Sequence, residues 1–115
     1  SDVVLNDDVF IHRAEIFEIE WARTIVRLAA DRARQECERR GLVENWRMFE
    51  QHHLKGRPYR VLAEERKMSP RRAAEQSRTA ARYMRRGMLE LLERDGVSDG
   101  EIEGEIARIR LLVRF

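Results

Sequence analysis

The chain has 115 residues, 43% hydrophobic and 38% charged, enough apolar material for one small core beneath mostly solvated faces. No apolar run approaches the roughly 20 residues of a membrane span, and the single cysteine, Cys37, excludes an internal disulfide and a cysteine metal cluster. A reduced, cytoplasmic location is expected.

The elements follow in order. Ser1 to Asn6 reads as a frayed end, with Ser1 a candidate cloning remnant and Asp7 or Asp8 a candidate cap. From about Glu15 to Arg40 the pattern is helical. Ile16, Ile19, Ala22, Val26 and Ala29 recur every three or four residues, and Phe17, Trp21 and Ile25 widen the stripe. The second half, DRARQECERR, has almost no large apolar group. It is either a solvated extension or one held by neighbours. Gly41 stands where a helix stop belongs. Glu44 to His53 forms a second helix with Trp46, Phe49 and His53 on one face, ended by Gly56. Pro58 fits the first turn of a short helix, Tyr59 to Arg66, with Lys67-Met68 as the turn after it. Ser69-Pro70 is a strong start, a hydroxyl cap before a proline. The long helix from Pro70 to about Glu93 has an inward stripe of Ala73, Ser77, Ala80, Met84, Met88 and Leu91. After a turn at Asp95-Gly96, Ser98 and Glu101 read as a capping box. It opens a last helix, Asp99 to about Val113, carrying Ile102, Ile106, Ile109 and Val113. The fold class is all-α: a small helical bundle containing a helix-turn-helix, without a wing. One domain, 1–115, divides into supporting helices (1–57), helix-turn-helix (58–94) and an acidic-to-apolar C-terminal helix (95–115).

Net charge is +2 but uneven. Residues 1–56 carry nine Lys/Arg against eleven Asp/Glu, residues 57–94 eleven against five, and residues 95–115 three against five. The basic excess sits on the helix-turn-helix, and by charge alone it reads equally as a phosphate-binding footprint or as a solvated helix face. At the start of the long helix, Arg71, Arg72, Glu75, Gln76 and Thr79 project away from the apolar stripe. Arg pairs bidentately with guanine, Gln does so with adenine, and Glu accepts from cytosine. Arg78, Arg82, Arg85 and Arg86, further along, are placed for phosphates. Tyr59 and Arg60, at the start of the preceding helix, are candidate backbone clamps.

The stretch Pro58–Leu92 resembles region 4 of the extracytoplasmic-function sigma factors. Tyr59, Leu62-Ala63, Met68-Ser69, Ala73, Ala80, Met84 and Met88 fall in that family's register of aromatic residue, Leu-Ala, turn, Ser cap and Ala/Leu-striped helix with an Arg-rich tail. Trp21-Ala22, the Trp46/Phe49 helix and the acidic Glu-Ile-x-x-Glu-Ile tail are similar to sigma-factor-like proteins of planctomycete type. The likeness covers roughly residues 15–110 and includes no region 2, so the expectation is a fragment or a stand-alone regulator that does not melt a promoter alone. Lys67 stands where the family usually has Gly, and Arg66 where it has Leu. Ser77 and Ala74 make the helix less apolar than is usual there. The resemblance implies recognition of an upstream promoter element, with promoter DNA and RNA polymerase core as partners, an anti-sigma protein as a further candidate partner, and no cofactor.

Other readings are weaker. His52-His53 point about 100° apart on a helix, poor geometry for one metal, and no third ligand is evident. Cys37, among Arg34, Arg39 and Arg40, has no His and carboxylate partner pattern and reads as a structural or exposed thiol. No phosphate loop or nucleophile motif occurs, so no enzyme is expected. A protein-interaction module on the helix-turn-helix scaffold, without direct DNA binding, is the alternative. Homodimerisation through the long first helix is a third.

Overall fold

No glycine or proline interrupts residues 1–40, and the first helix runs the length that this allows. The computed structural model describes the backbone of residues 2–115 and the side chains of Arg13 and residues 15–115; Ser1 lies outside the described residues. Helix α1 spans Asp2–Arg39, α2 Val43–Phe49, α3 Tyr59–Glu65, α4 Pro70–Arg94 and α5 Asp99–Val113. The protein is an all-α bundle, with no strand among the described residues. At 1.5 Å per residue α1 is about 57 Å long, which accounts for the 61 Å longest dimension of the molecule. The expected fray at residues 2–6 is therefore corrected. With no breaker before Gly41 the helix starts at Asp2, and Asp7 and Asp8 lie inside it.

The main core joins α1, α2, α4 and α5. Ala22, Ile25, Val26, Ala29, Ala33 and Cys37 of α1 meet Met84, Met88, Leu91 and Leu92 of α4 and Ile102, Ile106 and Ile109 of α5. The second half of α1 is thus held by neighbours, through the small residues Ala33 and Cys37, both buried. Burial raises the Cys37 thiol above its ordinary pKa, a neighbouring Glu36 adding to it. The apolar stripe expected at the other end of α1 is partly wrong. Ile16 is 47% and Phe17 78% exposed, because among the described residues the apolar core begins at Trp21 and Ala22. Trp21 itself sits at the rim, its indole N–H donating to Asp95 Oδ2 at 3.4 Å.

A second, smaller core of Met48, Leu62, Ala63 and Ala73, with Tyr59 and Met68 against it, ties α3 to α2 and to the start of α4. The segment after α2 widens into a π turn, Glu50–Leu54, with the Lys55 N–H donating to the Glu50 carbonyl at 3.0 Å. The expected continuous helix to His53 is therefore an α-helix plus a π turn, a form common at irregular junctions.

Three helix ends share one device. After α1, Leu42 N–H donates to Cys37 O at 2.7 Å and Gly41 N–H to Glu38 O at 3.3 Å, the paired bonds of a Schellman cap around a left-handed Gly41, φ 73°. After α4 the same pair forms, from Val97 N–H to Leu92 O and from Gly96 N–H to Glu93 O, both at 3.0 Å. After α3 it forms between Met68 N–H and Ala63 O at 3.0 Å and between Lys67 N–H and Glu64 O at 3.3 Å. Here the left-handed position is Lys67, φ 56°, a conformation disfavoured for a residue with a Cβ by about 1–2 kcal/mol. The turn without glycine closes in the geometry a glycine would take.

At Ser69 the expected cap forms, the Arg72 N–H donating to Ser69 Oγ at 3.1 Å, with Pro70 at the first helical position. At Ser98 it does not. Ser98 occupies the N-cap position of α5, but its side chain makes no capping bond. Its carbonyl instead receives Glu101 N–H at 2.9 Å and Ile102 N–H at 3.1 Å.

Candidate nucleic-acid interface

Helix α4 is the element around which a site can be built. Its inward stripe is as the spacing implies: Ala73, Ser77, Ala80, Met84, Met88 and Leu91 are all buried, with Gly87 and Leu92 beside them. At 100° per residue the opposite face carries Arg71, Glu75, Arg82 and Arg86. One shoulder carries Arg72, Gln76 and Thr79, the other Arg78 and Arg85. The Arg71 side chain is 90% exposed, and its Nε lies 3.6 Å from Glu75 Oε1, a surface pair of little strength. Arg72, Arg78, Arg82 and Arg86 make no ion pair among the described residues. Arg85 pairs with Glu103 of α5. The Thr79 hydroxyl donates to the Glu75 carbonyl at 3.3 Å.

Arg72, Glu75, Gln76 and Thr79 line an open hollow of about 410 Å³ together with Asn45 of α2. Asn45 Nδ2 donates to the Gln76 carbonyl at 3.4 Å, while Gln76 Oε1 is buried without a hydrogen-bond partner. Sequence reasoning missed Asn45, since nothing in the spacing of α2 says that its first turn abuts α4. Arg60 is exposed at the start of α3. Tyr59 is half-buried, its ring stacked on His52 with centroids 3.6 Å apart and planes 14° from parallel, so that ring serves first as the joint between the π turn and α3. His52 Nδ1 lies 2.7 Å from the Arg57 carbonyl; a carbonyl only accepts, so this nitrogen carries the proton. Arg66 is partly buried, and its Nη1 has no acceptor among the described residues.

A second opening, about 300 Å³, lies between α1 and α4 and is lined by Arg32, Gln35, Glu36, Arg39, Tyr83, Arg86, Gly87 and Glu90. The guanidinium carbons of Arg40 and Arg86 are 5.4 and 5.6 Å from the Tyr83 ring centre, within cation–π range. A third, about 190 Å³, lies under Phe49, Met84, Met88, Ile106 and Phe115, with His53 at its wall. Burial lowers the His53 pKa, and the charges of His52 and Arg110 lower it further.

Among the described residues no three His, Cys, Asp or Glu side chains gather as a metal site needs, and no helix is long and apolar enough to cross a membrane. Comparison of the chain with protein-family models, curated proteins and solved structures returns no match.

Proposed function

We propose that the protein is a DNA-binding transcription module of the sigma region 4 kind, acting in the cytoplasm, which reads an upstream promoter element with α4 and contacts RNA polymerase. The observation that carries this is the outward face of α4. It is long, arginine-rich and largely unpaired, and it begins at a capped N-terminus held by a short partner helix. Arg71, Arg72, Glu75 and Gln76 are at the end that enters a major groove in such motifs, and Arg78, Arg82 and Arg86 follow where phosphates flank it. The test is selection of bound duplexes from a random pool, followed by variants. Arg71→Gln with Arg72→Gln should relax base preference at individual positions, each lost bidentate pair costing about 1–3 kcal/mol of discrimination. Arg78→Gln with Arg82→Gln should weaken all duplexes alike. A pool that shows no enrichment, with equal binding by both variants, would sink the reading.

The exposed apolar side chains of α1 and α5, Phe17 at 78% and Leu111 at 79%, favour a second reading: a protein-interaction module of the type an anti-sigma protein or regulator binds. It predicts a stoichiometric complex with such a purified protein, lost in Phe17→Asp, and no DNA binding at any salt concentration.

A further inference from the structure

We propose that the C-terminal end of α1 is a second phosphate clamp, in which Arg39 and Arg40 bind backbone phosphates of the same duplex whose bases meet the start of α4. This rests on the DNA-binding reading and adds to it a bank supplied by another helix.

The first support is proximity. Gly87, in the middle of α4, sits so close to α1 that an added Cβ would lie 2.9 Å from the Ala29 carbonyl oxygen. The two helices touch backbone to backbone there, which brings the last turns of α1 alongside the shoulder of α4. Second is alignment. Arg72, Thr79 and Tyr83 follow one another along that shoulder, with Arg86 where it meets the outward face, and Arg72 and Arg86 are about 21 Å apart along the axis. The two openings lie along the same shoulder, the first facing Asn45 of α2 and the second facing Arg39 of α1. A helix about 10–12 Å across nearly fills a major groove about 12 Å wide, so its shoulders run beside the phosphates.

The third support is charge. Four guanidiniums, of Arg32, Arg39, Arg40 and Arg86, surround two carboxylates, of Glu36 and Glu90. Arg32 Nη1 reaches Glu90 Oε2 at 3.0 Å. Arg40 Nε reaches Glu36 Oε1 at 2.7 Å, and Arg39 pairs with the other Glu36 oxygen. Glu36 thus holds two arginines with one charge. Hydrogen bonds from Arg40 and then Arg39 keep its carboxyl below the usual carboxylate range, so at neutral pH it is a charged competitor for any phosphate. The side chain of Arg39 is 70% exposed and that of Arg40 52%, and exposed pairs of this kind exchange readily. The Arg40 guanidinium lies over the ring of Tyr83, a residue that lines the cleft.

That competition yields a test with two signs, read by fluorescence anisotropy of the full chain on a labelled 20-base-pair duplex between 50 and 200 mM NaCl. Arg39→Gln with Arg40→Gln should make the slope of log K against log salt shallower by about 1.8, at about 0.9 per phosphate contact, without changing base preference. The charge-keeping pair Arg39→Lys and Arg40→Lys should hold the wild-type slope. Glu36→Gln should tighten binding severalfold at every salt concentration. The proposal is overturned if the glutamine pair, folded by circular dichroism, keeps the wild-type slope, or if Glu36→Gln weakens binding as a purely structural partner would. Should Arg71→Gln with Arg72→Gln alter base preference while the α1 variants change nothing, this clamp alone is wrong. Should the wild-type chain bind no duplex, the DNA-binding reading falls and the clamp with it.

Discussion

Gly87→Ala is the substitution whose outcome follows most directly from the packing. In a helix interior, Gly to Ala ordinarily stabilises by about 0.8–1.0 kcal/mol. At Gly87 the new methyl meets backbone and not a movable side chain: Ala29 O at 2.9 Å, Ala29 Cα at 3.3 Å and Ala29 C at 3.5 Å. Relief requires α1 and α4 to separate along the seam that buries Val26, Ala29 and Ala33 against Met84 and Met88. Overpacking of this kind costs about 1–3 kcal/mol. Set against the propensity gain, the net loss is up to about 2 kcal/mol. For a domain of this size 1 kcal/mol moves Tm by roughly 4 °C, so Gly87→Ala should melt up to about 8 °C lower. Gly104 is the internal control. It lies within α5, exposed, with open space where a Cβ would go, and Gly104→Ala should melt up to about 4 °C higher by propensity alone. Thermal unfolding followed by circular dichroism at 222 nm reads both. A gain in stability in Gly87→Ala as large as that in Gly104→Ala would refute the close helix crossing and, with it, the placement of α1 beside the α4 shoulder.

Three further outcomes follow from the caps and the half-buried histidine. Lys67→Gly should stabilise by about 1 kcal/mol in urea unfolding, since it removes the left-handed strain of a residue with φ 56° at some cost in unfolded-chain entropy; a loss of stability would mean that the turn is not strained. Ser69→Ala should cost about 0.5–2 kcal/mol through the lost bond from the Arg72 N–H, whereas Ser98→Ala, where no such bond exists, should cost much less. Burial, with the charges of His52 and Arg110, depresses the pKa of His53, so the unfolded chain binds the proton more readily. The neutral ring's contribution is therefore complete above the unfolded pKa near 6.5 and is lost as pH falls through the lower folded value. Urea midpoints should drop between pH 7.5 and 5.5, and His53→Gln should flatten the drop; an unchanged drop would assign it elsewhere.

What could be read from the sequence divides along physical lines. The stripe of α4 was legible because Ala, Met and Leu at three- and four-residue spacing leave one possible inward face. Gly41, Ser69-Pro70 and Asp95-Gly96 marked their boundaries because each carries a local backbone mechanism. Ile16 and Phe17 misled, since periodicity says that a helix has an apolar face but not whether any element reaches it. Ala33, Cys37 and Met48 were overlooked as core because two are small and the third belongs to a separate cluster under α3. Ser98 and Glu101 satisfied a cap pattern by composition, but the hydroxyl makes no capping bond. The exposed arginine face of α4 was readable from its own helix. Its surroundings, Asn45, Tyr83 and the α1 arginines, depend on helix crossings, which the spacing along one helix does not encode.

The most direct test of the central claim is the salt dependence of wild-type binding to a duplex recovered by selection. Five arginines on the α4 face, Arg71, Arg72, Arg78, Arg82 and Arg86, are free or weakly paired among the described residues, and engagement of four or five phosphates sets a slope of log K against log salt near −4, steeper if the α1 clamp contributes. A slope of that size, with tighter binding to the selected duplex than to its scrambled counterpart, is the predicted result. Binding that is absent at 50 mM salt, or indifferent to salt, would contradict the account.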